Sequence, residues 1–424
     1  MQHPPPRLSR LVWTLAAGFY LFGFFQRVTP ASLAADLMRD FRLTAAGLGN
    51  LSAFYYYAYA AMQVPTGILV DRWGPSRLFV AGAVLSGAGA LLFAFGETVL
   101  VAGIGRALIG AAHGMAWVSM LKLVTHWFPI ARFGTLSGLS LAVGTLGAIL
   151  AGPPLRALAD AFGWRAVIAV SGVLVLALAA AIKLAMRDDP LARGYLSYAP
   201  PSARAGATVP IRASLAEIFR YRNVWLVPLV NSGTGGAFLA FTGLWGVPYF
   251  VQTHALSVKE AATITSAMLV LFALGGPLFG HLSDRWQLRK LPFALGSALL
   301  VAGFGALAFF PSAPLALLVP LLLIAGLGSA AMALSFGFVK ESVPARLQGT
   351  ATGVANAGVM LGTLIQMPVI GLILDAHWNG VIVNGVRQYD LPAFRSALLF
   401  LFVWIALAFV LLLATRETHA QQRT

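Results

Sequence analysis

The chain has 424 residues, 59% of them hydrophobic and only 10% charged, with a mean hydropathy of +0.81 and a formal net charge of +15. A charged fraction this low, against about 25% in an ordinary soluble domain, excludes a water-soluble globular fold and points to an integral membrane protein. Cysteine is absent, which excludes disulfides, thiolate catalysis and thiolate metal sites and leaves the redox compartment unmarked.

In chain order, apolar stretches recur at close to the roughly 20 residues that cross about 30 Å of hydrocarbon, so about twelve helices are expected. The first follows Arg7 and Arg10 and has the outline of a secretory signal. Its apolar run continues past a signal core and heads a set of similar spans, so it is read as a transmembrane helix. It contains FGFFQRVTP, which places Gln26 and Arg27 inside apolar sequence. The second helix carries a stripe of Ser52, Tyr56, Tyr59 and Gln63 and ends in GILVDRWGPSR, with Asp71 and Arg72. The fourth contains GRALIGAAHG, with Arg106 and His113, and the fifth ends in GTLGAILAGPPL, whose Gly152, Pro153 and Pro154 interrupt the helical hydrogen-bond ladder.

A polar interval from about Arg187 to Asn223 divides the chain. Its Pro, Gly, Ser and Arg content makes residues 191–222 a linker between bundles at 1–190 and 223–424, with ASLAEIFRYR expected as a short surface helix. The seventh helix presents Asn231, Thr234, Phe238, Thr242, Trp245 and Tyr249 near one face, in glycine-rich sequence that permits bending. The eighth ends in GPLFGHLSDRWQLRK, with Asp284 and Arg285, and the eleventh carries Asn356, Met360, Thr363 and Gln366. Aromatics at helical spacing ordinarily pack, whereas buried amides need partners, so Asn231, Asn356 and Gln366 are the stronger candidates among these.

Lysine and arginine gather in short cytoplasmic loops. With both termini inside, roughly twenty basic residues fall in inward segments and about seven in outward ones. This bias accounts for the basic balance without nucleic acid. No phosphate loop or HExxH zinc motif occurs, so neither cofactor nor metal is implied.

Arg27 and Arg106 are the two basic residues set well inside expected spans. A central arginine costs about 2.5–3.5 kcal/mol on insertion scales, and such residues usually face a polar cavity. Snorkelling of Arg27, or Arg106 tying helices through backbone carbonyls, are the structural alternatives. At helical spacing Tyr20, Gly23, Arg27 and Pro30 share a face, as do Arg106, Gly110, His113 and Trp117. Two guanidiniums converging on a cavity would form a carboxylate site, because arginine's planar fork binds that group bidentately. No Asp or Glu falls at mid-span, so His113 is the candidate proton site, its alternative being a neutral histidine bonded to a helix neighbour. A third positive charge beside two arginines is best accommodated with an anion bound, which would couple the two ligands.

The paired DRW loops resemble motif A of the major facilitator superfamily, GRALIGAAHG resembles motif B, and GTLGAILAGPPL resembles motif C. The first-helix and fourth-helix arginines, THWFPIARFG and TGVANAGVMLG are similar to the anion:cation symporter branch of sialin-like carriers and sugar-acid permeases. That branch typically has an acid before the first-helix arginine and a glutamate two turns after the fourth-helix one. Here those places hold Gln26 and His113.

The resemblance implies an all-α protein of two six-helix bundles rocking about a central site, with both DRW loops (Asp71, Arg72, Asp284, Arg285) as gates. It also implies a monomer in the inner membrane of a bacterium that carries a small organic anion, with protons as the candidate coupling ion. The expected substrate contacts are Gln26, Arg27, Tyr56, Tyr59, Arg106, Asn231, Trp245, Asn356 and Gln366. Motif C is commoner in exporters, so an antiporter of drugs or metabolites is the alternative, and amino acids or peptides also carry a carboxylate. A receptor would add a signalling module, and a channel would not saturate.

Overall fold

The computed structural model describes residues 2–129, 132–199, 217, 218, 220–344, 347–419 and 421, with the side chains of Val64, Ile68 and Asp71 excepted. Half of the short helix expected over 213–222 lies outside the described residues. Among the described residues, eleven helices are long and apolar enough to cross a membrane: α1 (Pro6–Ser32), α3 (Pro75–Phe95), α4 (Val99–Trp127), α5 (Phe133–Leu150), α6 (Trp164–Ala185), α7 (Arg222–His254), α8 (Val258–Trp286), α9 (Lys290–Phe309), α10 (Leu315–Glu341), α11 (Gln348–Ala376) and α12 (Leu391–Leu413). The twelfth is α2 (Ala45–Trp73), 29 residues long and so about 43 Å. Asn50, Gln63 and a run of tyrosines lower its hydropathy, which separates it from the others by composition and not by length. Helices suit such sequences because each satisfies its backbone polar groups within the segment, where lipid offers no partner.

Two compact units emerge. One takes the chain up to Arg27 and from Phe54 through the first half, and the other takes Val28–Ala53 with the second half. Both α1 and α2 therefore change unit along their length.

In the first unit, Phe19, Phe79, Ala83, Ala112, Ala116, Val175 and Ala179 form a buried core shared by α1, α3, α4 and α6. The α4 span is interrupted at Met115, between Val99–Gly114 and Ala116–Trp127. The break expected at Gly152-Pro153-Pro154 is present: α5 ends at Leu150 and a short helix begins at Pro153. At the start of α3, the carboxylate of Asp188 accepts from Ser76 N at 2.6 Å.

In the second unit, α7 contains two wide turns of π-helix, Ser232–Gly236 and Phe241–Trp245, in its glycine-rich stretch. Asp375 at the end of α11 caps α2, accepting from Ala46 N at 2.8 Å and Ala45 N at 3.1 Å, and Tyr389 OH donates to it at 2.7 Å. Backbones come close there, since a Cβ on Gly49 would sit 2.5 Å from Met367 O. A two-residue hairpin pairs β1 (Ile382–Val383) with β2 (Val386–Arg387) just before α12.

In the second DRW loop, Asp284 accepts from the Arg289 side chain at 2.8 Å, and Arg289 also pairs with Glu341 at 2.9 Å. The start of α9 is capped by Glu417, just past α12, which accepts from Arg289 N at 2.9 Å and Lys290 N at 2.8 Å. Partial burial acts to raise the Glu417 pKa, but the backbone N–H groups of Arg289, Lys290, Thr418 and His419 outweigh it and hold the carboxyl below its ordinary range. Asp188 and Glu417 thus do one job in the two halves: an acid after the last helix neutralises the positive end of the third.

A candidate anion site

The first unit gathers Gln26 and Arg27 from α1, Tyr55, Tyr56 and Tyr59 from α2, Ser86 from α3, and Arg106 and His113 from α4. All are buried, with Gln26 2%, Arg27 6%, Arg106 1% and His113 3% exposed. Close approach of α2 to α4 depends on Gly110, where a Cβ would collide with the Tyr55 carbonyl.

Arg27 donates from Nε to Tyr55 OH at 3.3 Å, and its guanidinium carbon lies 4.5 Å from the ring centre of Phe24, 5.6 Å from Tyr55 and 5.3 Å from Tyr59. Aromatic faces partly replace the lost hydration of a cation. Arg106 donates from Nη1 to the backbone oxygen of Gln26, and its guanidinium lies 5.3 Å from Tyr55 and 5.8 Å from Phe93. Its Nε and Nη2 have no partner, nor do Gln26 Nε2 and Tyr56 OH. Among the described residues neither arginine pairs with a carboxylate. The result is a buried patch with two cations and a surplus of donors, an arrangement that calls for an anionic acceptor.

His113 completes the cluster. Its Nε2 lies 3.0 Å from Ser86 Oγ and 3.2 Å from Gln26 Oε1, while Ser86 Oγ donates to Gln26 Oε1 at 2.7 Å. Phe19 stacks on the imidazole at 4.5 Å between ring centres. Tyr20 and Trp117, expected on the same two helix faces, meet at 5.5 Å.

The candidates of the second half are placed differently. Asn231 donates from Nδ2 to Ser335 Oγ at 3.0 Å and to Ala355 O at 2.9 Å. Gln366 Nε2 donates to Ser232 O at 2.9 Å, and Trp245 Nε1 to Met367 O at 3.0 Å. These bonds join helices of the second unit to one another. Asn356 is half-buried on α11. Arg72 and Arg285 are exposed, and the side chain of Asp71 lies outside the described residues.

Tyr55 and Ser86 escaped the sequence reading although both touch the key groups. Tyr55 lies one position off the stripe chosen on α2, and only the density of the run YYYAY marked it. Ser86 sits in GAVLSGAGALL, where nothing but polarity distinguishes it. No group of three His, Cys, Asp or Glu able to hold a metal is assembled among the described residues.

Twelve helices of membrane-spanning length, with a buried, donor-rich cluster inside the first unit, define a multi-pass membrane protein. The chain belongs to the Major Facilitator Superfamily, whose family model matches residues 15–253 and 233–424. It is similar to the probable sulfoacetate transporter SauU of Cupriavidus necator, 26% identical over 403 residues covering 90% of this chain and 88% of that one. It is also similar to the hexuronate transporter of Escherichia coli, 25% identical over 412 residues covering 91% and 93% of the two chains. The probable galactarate/D-glucarate transporter GudP of Escherichia coli is 23% identical, covering 89% and 90%. Among solved structures, a bacterial homologue of the human lysosomal transporter Spinster superposes with a TM-score of 0.79 at 17% identity, covering 97% of both chains. A D-xylose-proton symporter gives 0.74 at 16% identity, covering 97% and 99%. The structural likenesses establish the fold.

Proposed function

We propose that this transporter is a secondary carrier of a small organic anion, working by alternating access between two six-helix bundles, 1–190 and 223–424, joined by the linker 191–222. The observation that carries the reading is the pair of buried guanidiniums with no carboxylate partner among the described residues. Arg27 binds the carboxylate or sulfonate of the substrate. Arg106, through the Gln26 carbonyl and Tyr55, holds the first-unit helices in register and adds positive potential. His113 carries a proton when the anion is present, so that proton and anion travel together. Asp71, Arg72, Asp284 and Arg285 gate the inner side, and both termini face the cytoplasm of a bacterial inner membrane in which the protein works as a monomer. The relatives named for sulfoacetate, hexuronate and galactarate or D-glucarate support an anionic cargo.

The test is a thermal-shift panel on purified wild type and Arg27→Ala with sulfoacetate, D-glucarate, a hexuronate, amino acids and cationic drugs. A specific ligand at about a hundred times its dissociation constant adds roughly 2.7 kcal/mol of apparent stability. An acid that stabilises wild type and not the variant supports the reading; cations stabilising both proteins equally would sink it. Counterflow in liposomes then separates carrier from channel.

A further inference from the structure

We infer that Ser86 and Gly23 are positioning residues that fix His113 as its Nε2–H tautomer and so make Nδ1 the atom that takes the coupling proton. The inference rests on the reading of His113 as the proton carrier.

Hydrogen-bond direction supplies the first step. The amide oxygen of Gln26 can only accept, so the Ser86 hydroxyl, 2.7 Å away, points its hydrogen there. What Ser86 then offers to His113 Nε2, at 3.0 Å, is a lone pair. The same ring nitrogen lies 3.2 Å from Gln26 Oε1, a second acceptor. A nitrogen facing two acceptors must carry hydrogen. In a neutral imidazole the other nitrogen is then bare, and Nδ1 is buried without any partner.

Gly23 holds the ring in that place. A Cβ there would lie 2.6 Å from Nδ1, 2.9 Å from Cγ and 3.1 Å from Cε1 of His113. The near equality of the three distances means that the ring lays a face on the α1 backbone, while Phe19 stacks on the imidazole as well. An alanine at this position would push the ring off and away from Ser86.

The charged groups of the surrounding cluster are cations: Arg27 on α1 and Arg106, two turns away on α4 itself. Tyr20 on α1 and Tyr55, Tyr56 and Tyr59 on α2 are its remaining titratable groups, and α3 contributes the neutral Ser86. A proton arriving at Nδ1 therefore raises an already positive site. Its N–H needs an acceptor that none of the described residues supplies, and a bound anion provides both the acceptor and the opposite charge. No covalent bond is made or broken beyond N–H transfer.

The test reads the tautomer directly, from ring ¹⁵N spectra of the full-length protein in lipid nanodiscs labelled at histidine, with His113→Gln to assign the signal. At neutral pH and without substrate, wild type is expected to show a protonated Nε2 and a bare Nδ1. Ser86→Ala and Gly23→Ala should lose the single tautomer, while Ser86→Thr, which keeps the hydroxyl, should retain it. Uptake of D-glucarate, sulfoacetate or a hexuronate into liposomes should then show a pH profile displaced by about one unit in Ser86→Ala and restored in Ser86→Thr. A proton found on Nδ1 in wild type, or a Ser86→Ala spectrum identical to wild type, overturns the inference and leaves the His113 reading standing. The expected spectra combined with one common pH profile for wild type and His113→Gln overturn the His113 reading and the inference with it.

Discussion

The two units bury polar side chains to opposite ends. In the second unit Asn231, Gln366 and Trp245 each spend their N–H donors on a backbone carbonyl of a neighbouring helix, so the polar group pins helices together. The atoms these amides leave unpartnered, Asn231 Oδ1 and Gln366 Oε1, are acceptors. In the first unit the unpartnered atoms include Arg106 Nε and Nη2 and Gln26 Nε2, which are donors, beside two uncompensated positive charges. Unsatisfied buried groups cost about 1–3 kcal/mol each and charged ones more. A fold that keeps several of them in one place bears that cost for a ligand. On the proposed reading, buried polar groups serve packing in one unit and recognition in the other, and mutation should tell them apart.

Arg27→Ala should have the largest effect. Ligand-induced stabilisation should vanish and uptake should fall at least about a hundredfold, equivalent to roughly 2.7 kcal/mol, while the unliganded protein unfolds near the wild-type temperature because an uncompensated charge has been removed. Arg27→Lys keeps the charge and loses the fork, so it should recover only part of the affinity. If Arg27→Ala unfolds early and still binds the acid, recognition does not lie in the first unit.

Arg106→Ala should act the other way. It removes a fully buried side chain and leaves the Gln26 carbonyl without its donor, so a loss of about 2–4 kcal/mol of stability is expected in denaturation curves. Asn231→Ala should resemble it at smaller scale. The bonds to Ser335 and Ala355 are lost, costing about 1–3 kcal/mol, yet the thermal shift with ligand should persist. An Asn231→Ala protein of normal stability that no longer responds to any acid would move Asn231 into the recognition site and erase the contrast.

The sequence showed the helices plainly, because length, apolarity and the paired DRW loops are one-dimensional signals. Eleven spans stand out by hydropathy, and α2 is recovered by its length. Arg27, Arg106 and His113 were also legible, since charge inside apolar sequence is conspicuous. Their roles were less so: a spacing rule puts Arg106 and His113 on one face, and a backbone tie for Arg106 was an open alternative, but nothing in the sequence singled out the Gln26 carbonyl as its partner. Tyr55 and Ser86 depend on which way neighbouring helices turn, and one residue of register on α2 decides between Tyr55 and Tyr56 as the ring beneath the guanidiniums. The acids at 188 and 417 were invisible as caps, because helix packing brings each to a helix that begins more than a hundred residues earlier.

The smallest expected effect tests whether the halves still match away from the site. Glu417 is an acid whose folded-state pKa is depressed by the backbone N–H groups that start α9, after burial has acted the opposite way. A depressed carboxylate contributes stability that is fully present above its unfolded pKa, about 4.3, and is lost as pH falls through the lower folded value. Melting temperature should therefore drop between about pH 5 and pH 3, and Glu417→Gln should flatten that part of the slope while lowering stability slightly at neutral pH. Asp188→Asn should also weaken the start of α3, since Ser76 N would lose its carboxylate acceptor. Comparable losses in both variants would mean that the first and second halves share this scaffold device and differ where they meet the ligand. A silent Glu417→Gln beside a destabilised Asp188→Asn would carry the asymmetry of the binding site into the scaffold itself.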